Sequence, residues 1–294
     1  MFDRILFPTD GSEGATVALE HVLDLADASD ATLHVLSVPE TTFDRAAGVN
    51  EALVEDRVAA GEEYVAAAAD RAEERGVETV TAVEEGEPHA TIVEYADRHA
   101  VDLVVMPTHG RKGLERLLLG SVTERVVRRA NVPVLTLRPD EETTIRYPYE
   151  NVLVPTDGSD CADEALALGT RVARTTDANL HLLSVVDVAS LGVDVRTGVQ
   201  LDVLEENASK TLSRAAQFAK DEGVASVREE VGYGSSIHRE IVAYVEEHDV
   251  DLLVVGTHGL TGFDRYLLGS VTEKLVRTSP VPVLTVRAPE TDEE

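Results

Sequence analysis

The chain has 294 residues, 55 of them acidic and 26 basic, for a formal net charge of −29. Residues 1–140 hold 27 acids and 13 bases (−14), and the remainder 28 and 13 (−15), so the acidity is spread over both halves and is not a tail. Such a surface repels nucleic acid and anionic membranes, which excludes those partners; hydrophobic residues at 43% suffice for a packed core in each of two domains.

No run of about 18 apolar residues occurs, so no membrane span is read. Met1-Phe2-Asp3-Arg4 runs straight into an apolar segment without a signal-peptide pattern. Cys161 is the only cysteine, which rules out an intrachain disulfide and fits a reducing, cytoplasmic setting. The lysines are Lys112, Lys210, Lys220 and Lys274, the other bases being arginines. An acid-rich, lysine-poor composition points to a halophilic protein, whose self-repulsion concentrated counterions screen.

In chain order, strand one is expected near Arg4–Phe7. Ser12 is placed to cap a helix over about Glu13–Ala28, with Ala15, Ala18, Leu19, Val22 and Ala26 on one face. Strand two covers Thr32–Val38, followed by a polar stretch at Pro39–Asn50. An Ala- and Glu-rich helix runs to about Arg75, where Gly76 can end it. Strand three falls near Glu78–Val83, a helix over Pro88–His99, and strand four at Leu103–Met106. A glycine loop, a helix over Val122–Ala130 and strand five at Val132–Leu137 complete the set. Strands alternating with helices imply a doubly wound parallel α/β sheet. The apolar runs Leu103–Met106 and Leu252–Val255 suit strands covered on both faces.

The whole set then repeats. Ile5-Leu6-Phe7-Pro8-Thr9-Asp10-Gly11-Ser12 returns as Val152-Leu153-Val154-Pro155-Thr156-Asp157-Gly158-Ser159. Leu33–Val38 returns as Leu180–Val185, and Val132–Arg138 as Val281–Arg287. A repeat of domain length is a duplication, not a solenoid. The division expected is 1–139 for domain one, an exposed linker at 140–149, domain two at 150–289 and an acidic tail at 290–294. The stretch around Asp187–Glu206 corresponds to Pro39–Asn50, either a flap over a site or an ordinary loop.

One motif stands out in both copies. The second reads Gly256-Thr257-His258-Gly259, nine residues, then Gly269-Ser270-Val271-Thr272-Glu273. The first reads Pro107-Thr108-His109-Gly110, nine residues, then Gly120-Ser121-Val122-Thr123-Glu124. A strand, a glycine loop and a helix start form a phosphate cradle, because glycine admits close backbone approach and free amides face the anion. Asp10 and Asp157 follow strand one. With strand order 3-2-1-4-5 they face the glycine loops, where a carboxylate beside phosphates suits Mg²⁺; the alternative is that each only organises the turn into its helix. Ser121 and Ser270 have two readings, phosphate ligand or the first member of a capping box with Glu124 and Glu273. His109 and His258 shape the loop by hydrogen bonding, and His34 and His181 are structural. Arg111, Lys112, Arg116, Arg125, Arg128 and Arg129 form a basic island that favours an anion or complements a helix C-terminus.

These residues resemble the universal stress protein family, whose ATP-binding branch shows Gly-x-x-Gly, nine residues, Gly-Ser/Thr. The resemblance covers nearly the whole chain twice, with Gly256, Gly259, Gly269 and Ser270 matching every motif position. It implies two five-stranded Rossmann-like domains paired through their last strands as an intramolecular pseudo-dimer, with whole chains able to pair again as a homodimer. It also implies ATP, or ADP or AMP, with Mg²⁺, held in the second domain by Pro155, Thr156, Asp157, Leu182, Gly256, His258, Gly259, Gly269, Ser270, Val271 and Thr272. The matching first-domain residues are Pro8, Thr9, Asp10, Val35, Gly110, Gly120, Ser121, Val122 and Thr123. The metal would sit at Asp157 and Asp10. Pro107 departs from the motif, and the second domain is therefore expected to bind more tightly. The function implied is a nucleotide-binding stress-response module. The alternatives are a slow ATP hydrolase or phosphotransfer enzyme, for which no Walker-type Gly-Lys-Ser/Thr is present, and a scaffold that binds no nucleotide.

Overall fold

A computed structural model describes residues 1–41, 51–109, 119–139, 143, 145–188, 198–259 and 268–288. The chain divides into two compact units, Met1–Glu141 and Glu142–Glu294. The first contains β1 (Arg4–Pro8), α1 (Glu13–Ser29), β2 (Thr32–Ser37), α2 (Glu51–Glu74), β3 (Thr79–Val83), α3 (Pro88–Arg98), β4 (Leu103–Pro107), α4 (Ser121–Arg129) and β5 (Val134–Leu137). The second contains β6 (Asn151–Pro155), α5 (Asp160–Thr176), β7 (Asn179–Asp187), α6 (Gly198–Asp221), β8 (Val227–Gly234), α7 (Ile237–Glu247), β9 (Leu252–Gly256), α8 (Ser270–Thr278) and β10 (Val283–Val286).

In the first unit the strands lie side by side in the order β3-β2-β1-β4-β5, all pairs parallel. In the second the order is β8-β7-β6-β9-β10, again parallel. The order thus reverses between β1 and β4, and between β6 and β9. Right-handed crossovers stepping in opposite directions from that point put helices on both faces. Accordingly α1 packs on β1 and β4, α2 on β2 and β3, and α3 against α4. Every residue of β4 and of β9 is buried, as the apolar runs require.

Local chemistry sets the element ends. The Ser12 hydroxyl accepts the Ala15 amide and caps α1, and Ser159 accepts from Ala162 at α5. Asp30 and Asp177, in left-handed conformation, close those helices, and Gly76 (φ +74°) follows α2. Asp102 accepts the Asp3 and Arg4 amides (2.9 and 3.2 Å), and Asp251 accepts those of Glu150 and Asn151 (2.9 and 3.0 Å), tying each first strand to the strand beside it.

Three differences from the sequence reading have local causes. Tyr149, at the end of the stretch read as an exposed linker, is 2% exposed, and it stands at the position that buried Phe2 holds in the first unit. In the second-unit stretch around Asp187–Glu206, Asp187 ends β7 and the helix α6 begins at Gly198. The β7–β8 pairing also continues from Ser184↔Val231 to Asp187↔Gly234, beyond the point where β2 and β3 stop. Residues 42–50 and 189–197, where a flap was weighed, lie outside the described residues.

Candidate ligand site at the strand-order reversal

The site is assembled where β6 and β9 part company. Their ladder runs through Val152↔Leu252 and Leu153↔Leu253 and stops there. Beyond it β6 leads into the turn Thr156-Asp157-Gly158-Ser159, and β9 into Thr257-His258-Gly259. A crevice at the carboxyl ends of diverging strands is the general ligand position of open α/β sheets.

Two hydrogen bonds hold the turn. Gly158 donates to Thr156 Oγ1 (3.2 Å), and the Ser159 amide to Asp157 Oδ1 (3.0 Å). The organising role considered for the aspartate is therefore met by one carboxylate oxygen. The other faces the loop: a side chain begun at Gly259 would put its Cβ 2.6 Å from Asp157 Oδ2. The sequence expectation that Asp157 faces the Gly259 loop holds.

The loop is anchored at both ends. The Gly269 amide donates to the Thr257 carbonyl (2.8 Å), and Thr272 Oγ1 to the Gly256 carbonyl (2.7 Å). Thr257 is 3% exposed, and its hydroxyl meets His258 Nδ1 at 3.0 Å, so the histidine does shape the loop. Gly269 is the N-cap of α8 and Ser270 its first residue. The Ser270, Val271 and Thr272 amides thus sit in the first helical turn, which offers no acceptor within the helix.

The capping-box reading fails at both helices. A box requires the serine at the N-cap, yet Gly269 and Gly120 hold that position with no side-chain cap, and Ser270 and Ser121 are exposed first-turn residues. Glu273 and Glu124 turn instead to Arg277 (3.2 Å) and Arg128 (2.6 Å), one helical turn on. The glycine takes the cap because a Cβ at Gly120 would lie 3.0 Å from the Thr108 carbonyl, and one at Gly269 3.2 Å from the Thr257 carbonyl.

The first unit repeats this frame. Gly11 donates to Thr9 Oγ1 (3.2 Å), and the Ser12 amide to Asp10 Oδ1 (3.0 Å). Gly120 donates to the Thr108 carbonyl (2.7 Å), and Thr123 to the Pro107 carbonyl (2.9 Å). Thr108 meets His109 Nδ1 at 3.1 Å. Gly110, Arg111, Lys112, Arg116 and Arg265 lie outside the described residues.

The other expected residues lie within the strands and in the first helical turns. Val35 and Leu182 are fully buried within the sheet, at the registers Phe7↔Val35↔Thr81 and Val154↔Leu182↔Glu229. Pro8 is buried and Pro155 half-buried at their strand ends, and Val122 and Val271 are half-buried in the first turns of α4 and α8. The described members of the basic island are engaged elsewhere. Arg125 pairs with Glu87 (3.1 Å), Arg128 with Glu124, and Arg129 donates to His89 Nε2 (3.0 Å). Thr108 and Thr257, whose carbonyls fasten the loop, were not singled out in the sequence, although both copies carry them.

His34 and His181 lie away from the loop and are structural. Their Nδ1 atoms meet the Tyr95 and Tyr244 hydroxyls at 3.1 and 3.0 Å. Burial pushes His181 down to about 4, with Arg228 and His248 adding to it, and burial also lowers His34.

A glycine-framed turn and helix start at the order reversal of a doubly wound sheet, built twice in one chain, defines a tandem α/β protein. The chain belongs to the universal stress protein family, whose model matches residues 1–138 and again 148–287. A universal stress protein of Methanocaldococcus jannaschii is 38% identical over 141 residues, 47% of this chain and 83% of that relative. A second from the same organism is 32% identical over 155 residues, 47% of this chain and 96% of its own length. A solved universal stress protein from Archaeoglobus fulgidus covers 97% of this chain and 98% of its own, with a TM-score of 0.74 at 25% identity. Among the described residues no helix is long and apolar enough to cross a membrane.

Proposed function

We propose that the chain is a nucleotide-binding regulatory module that takes ATP, or its diphosphate or monophosphate, in the second unit. The observation that carries this reading is the space kept at Gly259, where even one Cβ would come within 2.6 Å of Asp157 Oδ2. Phosphate oxygens would meet the first-turn amides of Ser270, Val271 and Thr272, with the Ser270 hydroxyl as a further donor. Thr156 and Asp157 would bound the crevice opposite.

The residues present fit a shared cation. Among the described residues no group of three or more His, Cys, Asp and Glu could hold a metal unaided. Mg²⁺ would therefore take an Asp157 oxygen together with phosphate oxygens, which is its usual habit, and would neutralise phosphate charge in a strongly acidic protein. His258 Nε2, buried and without a hydrogen-bond partner among the described residues, is a polar atom of the loop left for a ligand to satisfy.

Calorimetric titration with ATP and Mg²⁺ tests the reading. Binding that Gly259→Val removes from the second unit supports it, and the absence of any heat or thermal shift with the parent protein ends it. The acidity adds a proposed halophilic character: the unfolding midpoint should rise between low and molar KCl as counterions screen the −29 charge. An unchanged midpoint would dismiss that character without touching the site.

A further inference from the structure

We propose that two copies of the chain pair edge to edge through β8, antiparallel, about a two-fold axis at Glu229. Such pairing is independent of any ligand beside the glycine loops.

β8 is the outer strand at one end of the second unit, and among the described residues of that unit no strand lies beyond it. It is eight residues long, against five for β3 at the same place in the first unit. Leu180 donates to the Ser226 carbonyl (2.9 Å) and Val188 to that of Gly234 (3.0 Å), and the register between them is unbroken. The even-numbered residues of β8 thus turn their backbone groups to β7. Those of Val227, Glu229, Val231 and Tyr233 turn outward. A row of outward amides and carbonyls is a template for one more strand.

The side chains say which strand fits. Arg228 and Glu230 stand on one face, with Nη2 and Oε2 3.0 Å apart. The arginine is held in place: it lies over the Tyr244 ring, 6.0 Å from the centroid, and donates to His248 Nδ1 (3.1 Å). A two-fold axis at Glu229 sets Arg228 opposite Glu230 of the second copy, and Glu230 opposite the Arg228 there. These are non-hydrogen-bonded positions, where facing side chains come closest. The four charges then alternate around a rectangle.

Other axes lose this match. Outward residues must pair with outward residues. An axis at residue 228 then faces arginine with arginine, and one at 230 glutamate with glutamate. An axis at 231 sets both charges opposite Gly232 and Gly234. With the axis at Glu229, Val227 meets Val231 of the second copy on the other face. Glu229 meets its own counterpart there, and Lys220 of α6, 3.7 Å from Glu229 in each copy, offsets the two carboxylates. One self-complementary patch repeated on both partners is what a two-fold interface requires.

β3 lacks the pattern. It reads Thr79-Val80-Thr81-Ala82-Val83, without a charge, and Glu78 and Glu84 flank it. Leu33 donates to Glu78 and Glu84 to Ser37, so its outward residues are Thr79, Thr81 and Val83. An axis at Thr81 would oppose Glu78 to Glu84 of another copy. Self-pairing is therefore expected of β8 and not of β3.

The −29 charge opposes association in dilute salt, so sedimentation velocity of the full chain in molar KCl is the test. Twice the chain mass is expected. Arg228→Glu and Glu230→Arg each set like charges across the axis and should return the monomer. The double reversal rebuilds the rectangle with its signs exchanged and should restore the dimer. Val231→Pro removes an outward amide that β7 does not use, and should also give the monomer, whereas Thr81→Pro on β3 should leave the dimer intact. Circular dichroism checks that each variant is folded. A monomeric parent overturns the proposal. So does a dimer that survives Arg228→Glu or Val231→Pro, or one that the double reversal fails to restore.

Discussion

The two units differ where the strand beside the helix start ends. The second has Gly256, whose missing side chain faces Cys161 of α5; the first has Pro107 there, and its helix carries Gly14, whose missing side chain faces Pro139 and the His109 carbonyl. Everything downstream of that exchange agrees within a few tenths of an ångström, from the Thr108 and Thr257 anchors to the Asp10 and Asp157 turns. The difference teaches that a motif position can vary when its job is helix–strand contact, while the glycine N-cap and the buried threonines stay because they hold the loop.

The most severe way to break this comparison is a side chain at Gly256. Gly256→Val drives a Cβ into the Cys161 carbonyl and should destabilise the protein by about 1–3 kcal/mol, read from urea midpoints. Pro107→Gly should cost only about 0.4–1 kcal/mol, mainly through the extra freedom of the unfolded chain. Equal losses at the two positions would refute the packing account.

Next come the buried threonines. Thr272→Val and Thr123→Val each strand a strand-end carbonyl and should cost about 1–2 kcal/mol, alike in the two units. A loss confined to Thr272 would show that the first-unit frame carries less of the load.

Acid titration probes the paired histidines. His181 is held below its ordinary value, so the unfolded chain binds its proton first. Stability should therefore be full above about pH 6.5 and fall between there and about pH 4, as burial beside Tyr244, His248 and Arg228 opposes the charge. His181→Phe should flatten that slope. His34→Phe should act in the same sense, since burial and the neighbouring His99 and Arg4 also lower His34.

The smallest effects belong to the exposed serines. Ser270→Ala and Ser121→Ala should change stability by no more than about 0.5 kcal/mol, because neither caps its helix. A loss near 1 kcal/mol in thermal or urea unfolding would restore the capping box.

Much of this was legible in the chain. The alternating periods and the offset copies yielded ten strands in two sets of five, and Ser12 announced its helix. Element ends shifted by a residue or two, as with β5 beginning at Val134 and α4 at Ser121, because caps depend on local backbone geometry. The serine–glutamate spacing misled for a related reason. Spacing alone cannot say which residue is the N-cap, and the crowded approach of the loop to Thr108 and Thr257 reserves that place for glycine. Tyr149 was similarly hidden in a polar, proline-bearing stretch whose composition says nothing of which ring the core will take.

By itself the sequence determined the duplication, the doubly wound class, the acidic surface and the two aspartate–glycine constellations, since periodicity, charge and repeat spacing are properties of the chain alone. Only the tertiary structure decided what each glycine is for. The space that Gly256 leaves is filled by a helix start distant in sequence, and the space that Gly259 leaves opens on a carboxylate. A missing side chain has no character until its neighbours are in place.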